Sequence, residues 1–248
     1  MAVQREAILT RTLRLQEHTV LLDFETEGGA RLDFRGGQYL IVDPGVTQAD
    51  GRIAKRAYSI VSSDREPCKF SLAVRRIPGG AGSAHMHALA ASDRIRFSGP
   101  WGKGAPEGDV AIEDGAQGWI VVSDTGITGA LGLVNGAALS RSLTRYRLLW
   151  LRSDPDDFLP DAYVREQLPS SLGDFSVATI APVGDPARLP AAAEALTRWQ
   201  TTSTPQLAHL AGDGAVLDTL RQLLTSRGMP TTAIQSEYFF NRPARSLG

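Results

Sequence analysis

Four consecutive residues, Arg56-Ala57-Tyr58-Ser59, place a cation, a flat ring and a hydroxyl close together on what reads as a strand. Such a trio can hold a flavin. Successive side chains of a strand point to opposite faces, so Arg56 and Tyr58 share one face and Ser59 leaves from the other. Further along, Pro78-Gly79-Gly80-Ala81-Gly82-Ser83 precedes AHMHALA, a glycine-rich loop opening a short helix. Backbone N–H groups at such a start have no partner within the helix, and an anion is favoured there. Two later loops, Asp124-Thr125-Gly126 and Ala211-Gly212-Asp213-Gly214, combine glycines with a carboxylate where strands end.

The elements that must position these residues fall into two textures. Up to about residue 105 the chain alternates short apolar or β-prone runs with turns: Ala7 to Leu9, Leu13 to Leu15, Thr19 to Phe24, Tyr39 to Val42, Arg56 to Val61, Phe70 to Arg75 and Asp93 to Phe97, the last closing at Gly99-Pro100. That pattern predicts an antiparallel six-stranded barrel without a helix before residue 80. Glu107 to Gly118 is polar and glycine-containing, as linkers are. Beyond it strands alternate with helices: Trp119 to Ser123, then Ile127 to Leu139; Tyr146 to Leu151, then Tyr163 to Leu168; Phe175 to Ile180, then Ala191 to Trp199; Leu207 to Leu210, then Val216 to Leu224; and last Ala233 to Phe240. This rhythm predicts a five-stranded parallel, doubly wound sheet. Ligands of such sheets sit at the carboxyl ends of the strands, where strand order reverses. The expected domains are residues 1–108, the barrel, and 109–248, the α/β domain.

Composition narrows the function classes. With 26 Lys and Arg against 27 Asp and Glu, the formal charge of −1 gives no general attraction to nucleic acid or an anionic membrane. No apolar run is long enough for a membrane span and the first residues carry no signal-peptide core, so a soluble, cytoplasmic protein without membrane insertion is expected. A single cysteine, Cys68, excludes an intramolecular disulfide and a thiolate-held iron–sulfur cluster. His85 and His87 lie two apart in a helix and face away from each other, which argues against a shared metal; none is expected. Ser83 lacks the Gly-x-Ser-x-Gly setting of a nucleophile.

A barrel with Arg-Ala-Tyr-Ser, a glycine-rich turn with Ser83, the turn Ser98-Gly99-Pro100-Trp101-Gly102 and a following α/β domain resembles the ferredoxin-NADP reductase family over nearly the whole chain. The resemblance implies a barrel that holds FAD, less readily FMN, and a second domain that brings NADH or NADPH. Hydride then passes to the flavin and electrons leave to a redox partner protein or small acceptor: a ferredoxin, a flavodoxin, an oxygenase component, free flavin or a ferric chelate. Carried onto this sequence, Arg56 pairs with a flavin phosphate, Tyr58 lies on the ring system, Ser59 stands at its reactive edge, and Ala57 and Val74 join the cofactor contacts. Gly80, Gly82 and Ser83 wrap the pyrophosphate. Glu237-Tyr238-Phe239 matches the family's acidic-x-aromatic ending, with Phe239 as the ring over the flavin's other face. Thr125, Gly126, Arg152, Gly212 and Asp213 fall to the nicotinamide side; Ser59, Asp213 and Phe239 are the residues implied next to the chemistry.

The nicotinamide side departs from the family. Where relatives read Gly-Thr-Gly-Ile-x-Pro, this chain reads Asp124-Thr125-Gly126-Ile127-Thr128-Gly129, and a carboxylate there repels a pyrophosphate unless it points away, is protonated or paired, or marks altered ligand choice. Where relatives end the fourth strand Cys-Gly-Pro, this chain has Ala211-Gly212-Asp213. The thiol is gone, and Asp213 helps if bonded to the carboxamide and hinders if unpaired. After the third strand Thr179-Ile180-Ala181-Pro182 lacks the Ser-Arg pair of NADPH-selective relatives, a lean toward NADH; Arg152 is either a cation for the 2′-phosphate or a partner of Asp154 or Asp156. The Asp-Thr strand end is also similar to siderophore-interacting reductases. A flavin-binding electron-transfer or partner-binding subunit with a degraded nicotinamide site is the alternative reading.

Overall fold

A computed structural model describes residues 3–47, 51, 53–105, 112–156, 158–200 and 205–241. Two compact units emerge: Met1–Asp109 with Leu131–Ser140 and Asp156–Leu168, and Val110–Ala130 with Arg141–Pro155 and Pro169–Gly248. The first part of the expected linker, residues 107–111, lies outside the described residues.

In the first unit, β1 (Gln4–Gln16), β2 (Thr19–Thr26), β3 (Tyr39–Asp43), β4 (Arg56–Ser59), β5 (Lys69–Arg75) and β6 (Arg94–Trp101) form one sheet in the order β4-β3-β6-β1-β2-β5. Its neighbouring strands all pair antiparallel. Just past β4, Ile60 bridges to Leu72 of β5 and the Val61 N–H donates to the Ser71 carbonyl at 2.9 Å. These bonds join the two edge strands and close the barrel. Period-two alternation sends Val20, Leu22 and Phe24 of β2 and Phe70, Leu72 and Val74 of β5 inward, where they meet Leu40, Ile95 and Phe97. Phe70 stacks on Phe24 at 5.3 Å and meets Phe97 edge-on at 5.4 Å. Each such ring contributes about 1.5–3 kcal/mol by its burial.

Two local differences from the sequence pattern have physical causes. The runs Ala7 to Leu9 and Leu13 to Leu15 belong to one strand, because register shifts between Leu9 and Arg11 and between Arg14 and Gln16 keep β1 paired with β2 along its length. β6 continues through Gly99-Pro100 instead of closing there: Trp101 pairs with Tyr39 across another register shift. Gly99 makes this possible, since its φ is 128° and a Cβ there would sit 3.0 Å from the Trp101 ring.

The second unit holds β7 (Gly118–Ser123), β8 (Tyr146–Arg152), β9 (Asp174–Thr179), β10 (Leu207–Asp213) and β11 (Ile234–Phe240), all parallel, in the order β11-β10-β7-β8-β9. Strand order reverses between β7 and β10, so the crevice expected of this fold lies where these two end. Helices α1 (Ala81–Ala88), α2 (Ile127–Asn135), α3 (Asp161–Gln167), α4 (Arg188–Trp199) and α5 (Gly214–Ser226) complete the chain. One face of the sheet buries Trp119, Val121, Leu149, Leu151 and Leu210 against Ala192 and Leu196 of α4 and Val216, Leu217 and Leu220 of α5. Helix α4 begins at Arg188, ahead of the apolar run at Ala191, because Pro190 lies in its first turn, where the missing N–H has no intrahelical acceptor to lose. None of the described helices is long and apolar enough to cross a membrane.

Candidate functional site

In the first unit, Arg56 is exposed at the start of β4, Ala57 is exposed beside it, Tyr58 is half-buried and Ser59 is buried. Burial thus increases along the strand, from the exposed Arg56 to the buried Ser59. Tyr58 pairs with Leu40 and packs on the barrel core, and burial pushes its phenol up to about 12 against the opposing pull of the Arg56 guanidinium. The ring stays a neutral platform at any working pH. Arg56 donates through Nη1 to the Lys55 carbonyl at 2.7 Å, which fixes the stem while leaving further donors on the fork.

The glycine-rich turn lies against this strand. A Cβ on Gly82 would come to 2.9 Å of the Ala54 carbonyl oxygen and 3.3 Å of the Arg56 Cγ, so only glycine lets the start of α1 approach β4 so closely. Ser83 is buried; its hydroxyl donates to the Gly80 carbonyl and accepts from the Ile77 N–H, both at 3.0 Å. These bonds shape the turn, with Gly80 as N-cap of α1. A cation and a helix N-terminus thus converge, a donor set that suits a diphosphate such as that of FAD. The Val74 side chain is wholly buried in the barrel core, and its carbonyl bonds the His87 Nε2 at 3.0 Å.

The second unit gathers Asp124, Thr125, Gly126, Gly212 and Asp213 at the switch point. An added Cβ on Gly126 would collide with the Ala211 carbonyl, and one on Gly212, whose φ is 131°, with Ser123. The ends of β7 and β10 are packed backbone to backbone, and the Asp213 N–H donates to the Ser123 hydroxyl at 2.8 Å. Asp124 is paired, one of the alternatives open from sequence. Its partner is Arg188, the first residue of α4, only 3% exposed. Arg188 Nε donates to the Asp213 carboxylate at 3.0 Å, Nη1 to the Ala181 carbonyl at 2.7 Å, and Nη2 to the Asp124 carboxylate. The other Asp213 oxygen accepts from the Ala215 N–H at 3.1 Å and caps α5. Both oxygens of Asp213 are therefore engaged inside the protein.

Arg188 escaped the sequence reading. Its signal appears only once α4 is known to begin at Arg188: a cation in the first turn of a helix opposes the helix dipole and implies a carboxylate partner. Arg152 lies over the Trp150 indole, its guanidinium carbon 4.7 Å from the ring centroid, and Nη1 reaches the Pro155 carbonyl at 3.4 Å. Phe239 is half-buried on β11. Beside it, burial pushes the Glu237 carboxyl up to about 7, and the Tyr238 hydroxyl donates to Asp218 at 2.8 Å.

Known proteins share this fold. Residues 6–105 match the oxidoreductase FAD-binding domain family. Over 97 residues, 39% of this chain, it is 37% identical to a ferredoxin–NADP reductase B of Sorangium cellulosum, and the match spans 38% of that relative's length. An Amycolatopsis cytochrome P450 reductase aligns over 96% of this chain and 71% of its own at 25% identity, with a TM-score of 0.69. The cytochrome b5 reductase domain of Ulva prolifera nitrate reductase aligns over 96% and 97% at 20% identity, with a TM-score of 0.73. The resemblance to the ferredoxin-NADP reductase family is borne out in the fold, which is that of these reductases, and residues 6–105 match an oxidoreductase FAD-binding domain.

Proposed function

From a match to an FAD-binding oxidoreductase domain over residues 6–105 and a parallel sheet later in the chain, we propose that this protein is an FAD-dependent NAD(P)H oxidoreductase serving a separate electron acceptor. The observation that carries the reading is the exposed Arg56 beside the glycine turn that opens α1, a ready seat for a diphosphate. FAD, when bound, supplies the hydride acceptor. The chain's own share is to hold and orient: Arg56, Gly80 and Gly82 receive the diphosphate, Tyr58 offers a neutral ring face, and Ser59 a hydroxyl. The strand-end loops Thr125-Gly126 and Gly212-Asp213 receive the donor, NADH in preference to NADPH, and Phe239 shields the reacting edge. Residues 1–108 form the flavin domain and 109–248 the donor domain of a cytoplasmic enzyme. A ferredoxin, flavodoxin, oxygenase component, flavin or ferric chelate takes the electrons.

Anaerobic mixing of the FAD-loaded protein with NADH and, separately, NADPH tests this. Bleaching of the flavin band is expected. A yellow protein that neither nucleotide bleaches overturns the donor half, and a colourless preparation that takes up no added FAD overturns the whole. One observation favours a second reading, a flavin-binding electron-transfer subunit: the strand-end crevice already holds the Asp124–Arg188–Asp213 cluster. Failure of both nucleotides to bleach a yellow protein is its expected result.

A further inference from the structure

The end of β7 carries a residue with a Cβ in the left-handed region. Asp124 has a φ of 49°, a conformation that glycine adopts freely and that aspartate, though more tolerant of it than most residues, adopts at a cost. Three bonds hold it there. Trp150 Nε1 donates to the Asp124 carbonyl at 2.9 Å, the Ile127 N–H closes a 3-10 turn onto the same carbonyl, and Arg188 Nη2 binds the carboxylate. Arg188 is fixed in turn by Asp213 and by the Ala181 carbonyl beyond β9. One guanidinium thus joins the ends of β7, β9 and β10, a span that needs several donors directed in one plane.

We propose that Arg188 is a positioning residue of the donor site. By pairing with Asp124 it holds the left-handed turn that leads into α2, and by pairing with Asp213 it keeps the start of α5 in step with it. The assignment rests on the reading of the protein as an NAD(P)H oxidoreductase, and the ligand class is the pyridine dinucleotide, whose diphosphate suits a helix N-terminus. Here an ion pair does at position 124 what a glycine does by conformational freedom. The requirement for Arg188 at β7 therefore falls away when residue 124 is glycine.

The test uses the FAD-loaded protein, with calorimetric binding of NAD⁺ and NADP⁺ beside anaerobic flavin bleaching over a donor concentration series. Arg188→Met is expected to weaken nucleotide binding about tenfold, as loss of about 1.4 kcal/mol does, while FAD content and the flavin spectrum stay parental and the limiting bleaching rate changes less than the affinity. Adding Asp124→Gly recovers about fivefold of the loss, as about 1 kcal/mol of left-handed preference does; Arg188→Lys recovers none, having no planar fork. Parental affinity in Arg188→Met, or no recovery with Asp124→Gly, overturns the assignment. Should Arg188→Met not fold, Asp124→Gly and Asp124→Ala are compared in the parent: Gly keeps the affinity and Ala weakens it, and equal behaviour overturns the assignment. A parent that is neither bleached by nor binds either nucleotide brings down the donor reading itself; a bleached parent with an indifferent Arg188→Met brings down only the positioning role.

Discussion

Two helix starts in this molecule are built from the same parts and end in opposite electrostatic states. At α1 a glycine turn is shaped by the buried Ser83 hydroxyl, and the neighbouring Arg56 is exposed with most of its fork facing outward. At the switch point the helix starts are met by carboxylates, Asp213 as the cap of α5 and Asp124 ahead of α2, and the arginine is 3% exposed and bonded to both. The first arrangement leaves its cation exposed, open to an anion from outside. The second is complete already, with two negative groups and one positive. An arginine beside a helix N-terminus is therefore no sign of a ligand by itself; what distinguishes the two is whether the fork is satisfied by the chain.

The largest effect should come from removing each arginine in turn. Arg188→Leu leaves two carboxylates without their cation, one of them 1% exposed, and is expected to lower unfolding stability by about 3–5 kcal/mol. Arg56→Ala removes an exposed side chain and should stay within about 0.5 kcal/mol of the parent, while FAD affinity drops by roughly tenfold or more, the value of a charge-assisted bond. Denaturant titration with FAD-binding isotherms reads both. Equal stability losses, or an Arg56→Ala protein that retains FAD as tightly as the parent, would erase the contrast.

How much of this was legible beforehand follows from the range of each signal. Apolar alternation in FSLAVR and the β-prone Arg-Ala-Tyr-Ser run are local, so both barrel strands could be read directly. The βαβ rhythm likewise announced five parallel strands. Arg188 could not be found this way, because its partners Asp124 and Asp213 come together only through the β11-β10-β7-β8-β9 order. The two odd carboxylates were visible as departures, but the cation that explains them sat behind Pro186 and ahead of Pro190, in a stretch that reads as loop. The Gly99-Pro100 step misled for a related reason: it reads as a chain reversal, and only the pairing of Trp101 with Tyr39 reveals a strand.

The second contrast sharpens the buried character of the α/β unit through pH. Burial lowers the His209 imidazole from 6.5 to about 4, and raises the Glu237 carboxyl from 4.5 to about 7. Folded His209 resists a proton that the unfolded chain accepts, so its contribution is intact above pH 6.5 and is lost as pH falls toward about 4, in total about 3 kcal/mol. Folded Glu237 keeps a proton that the unfolded chain releases, so its contribution is intact below pH 4.5 and is lost as pH rises toward about 7. Between pH 4.5 and 6.5 the two slopes oppose each other and stability should be nearly flat. Replacing His209 with Leu exposes the falling slope of Glu237 in that window; Glu237→Gln exposes the rising slope of His209. Stability curves measured at several pH values decide it, and variants that both remain flat would mean the groups are not buried as described.

The smallest effect returns to arginine–aspartate pairs, now at the barrel surface. Arg11 Nε meets the Asp23 carboxylate at 2.7 Å, a shorter contact than the 3.0 Å between Arg188 and Asp213, yet the Arg11 side chain is 64% exposed. Distance alone ranks the surface pair higher; solvation reverses the order. Water screens the exposed pair and holding two long side chains together costs entropy, so its net worth is about 0–1 kcal/mol. Asp23 also accepts from the Ser71 hydroxyl at 2.7 Å and so keeps a partner when Arg11 is gone. Arg11→Ala is accordingly expected to shift the unfolding midpoint barely, and the residual difference should vanish in high salt as the Debye length shortens. The loss at Arg188 should survive the same salt, because its cost comes from carboxylates that the fold keeps away from water and ions.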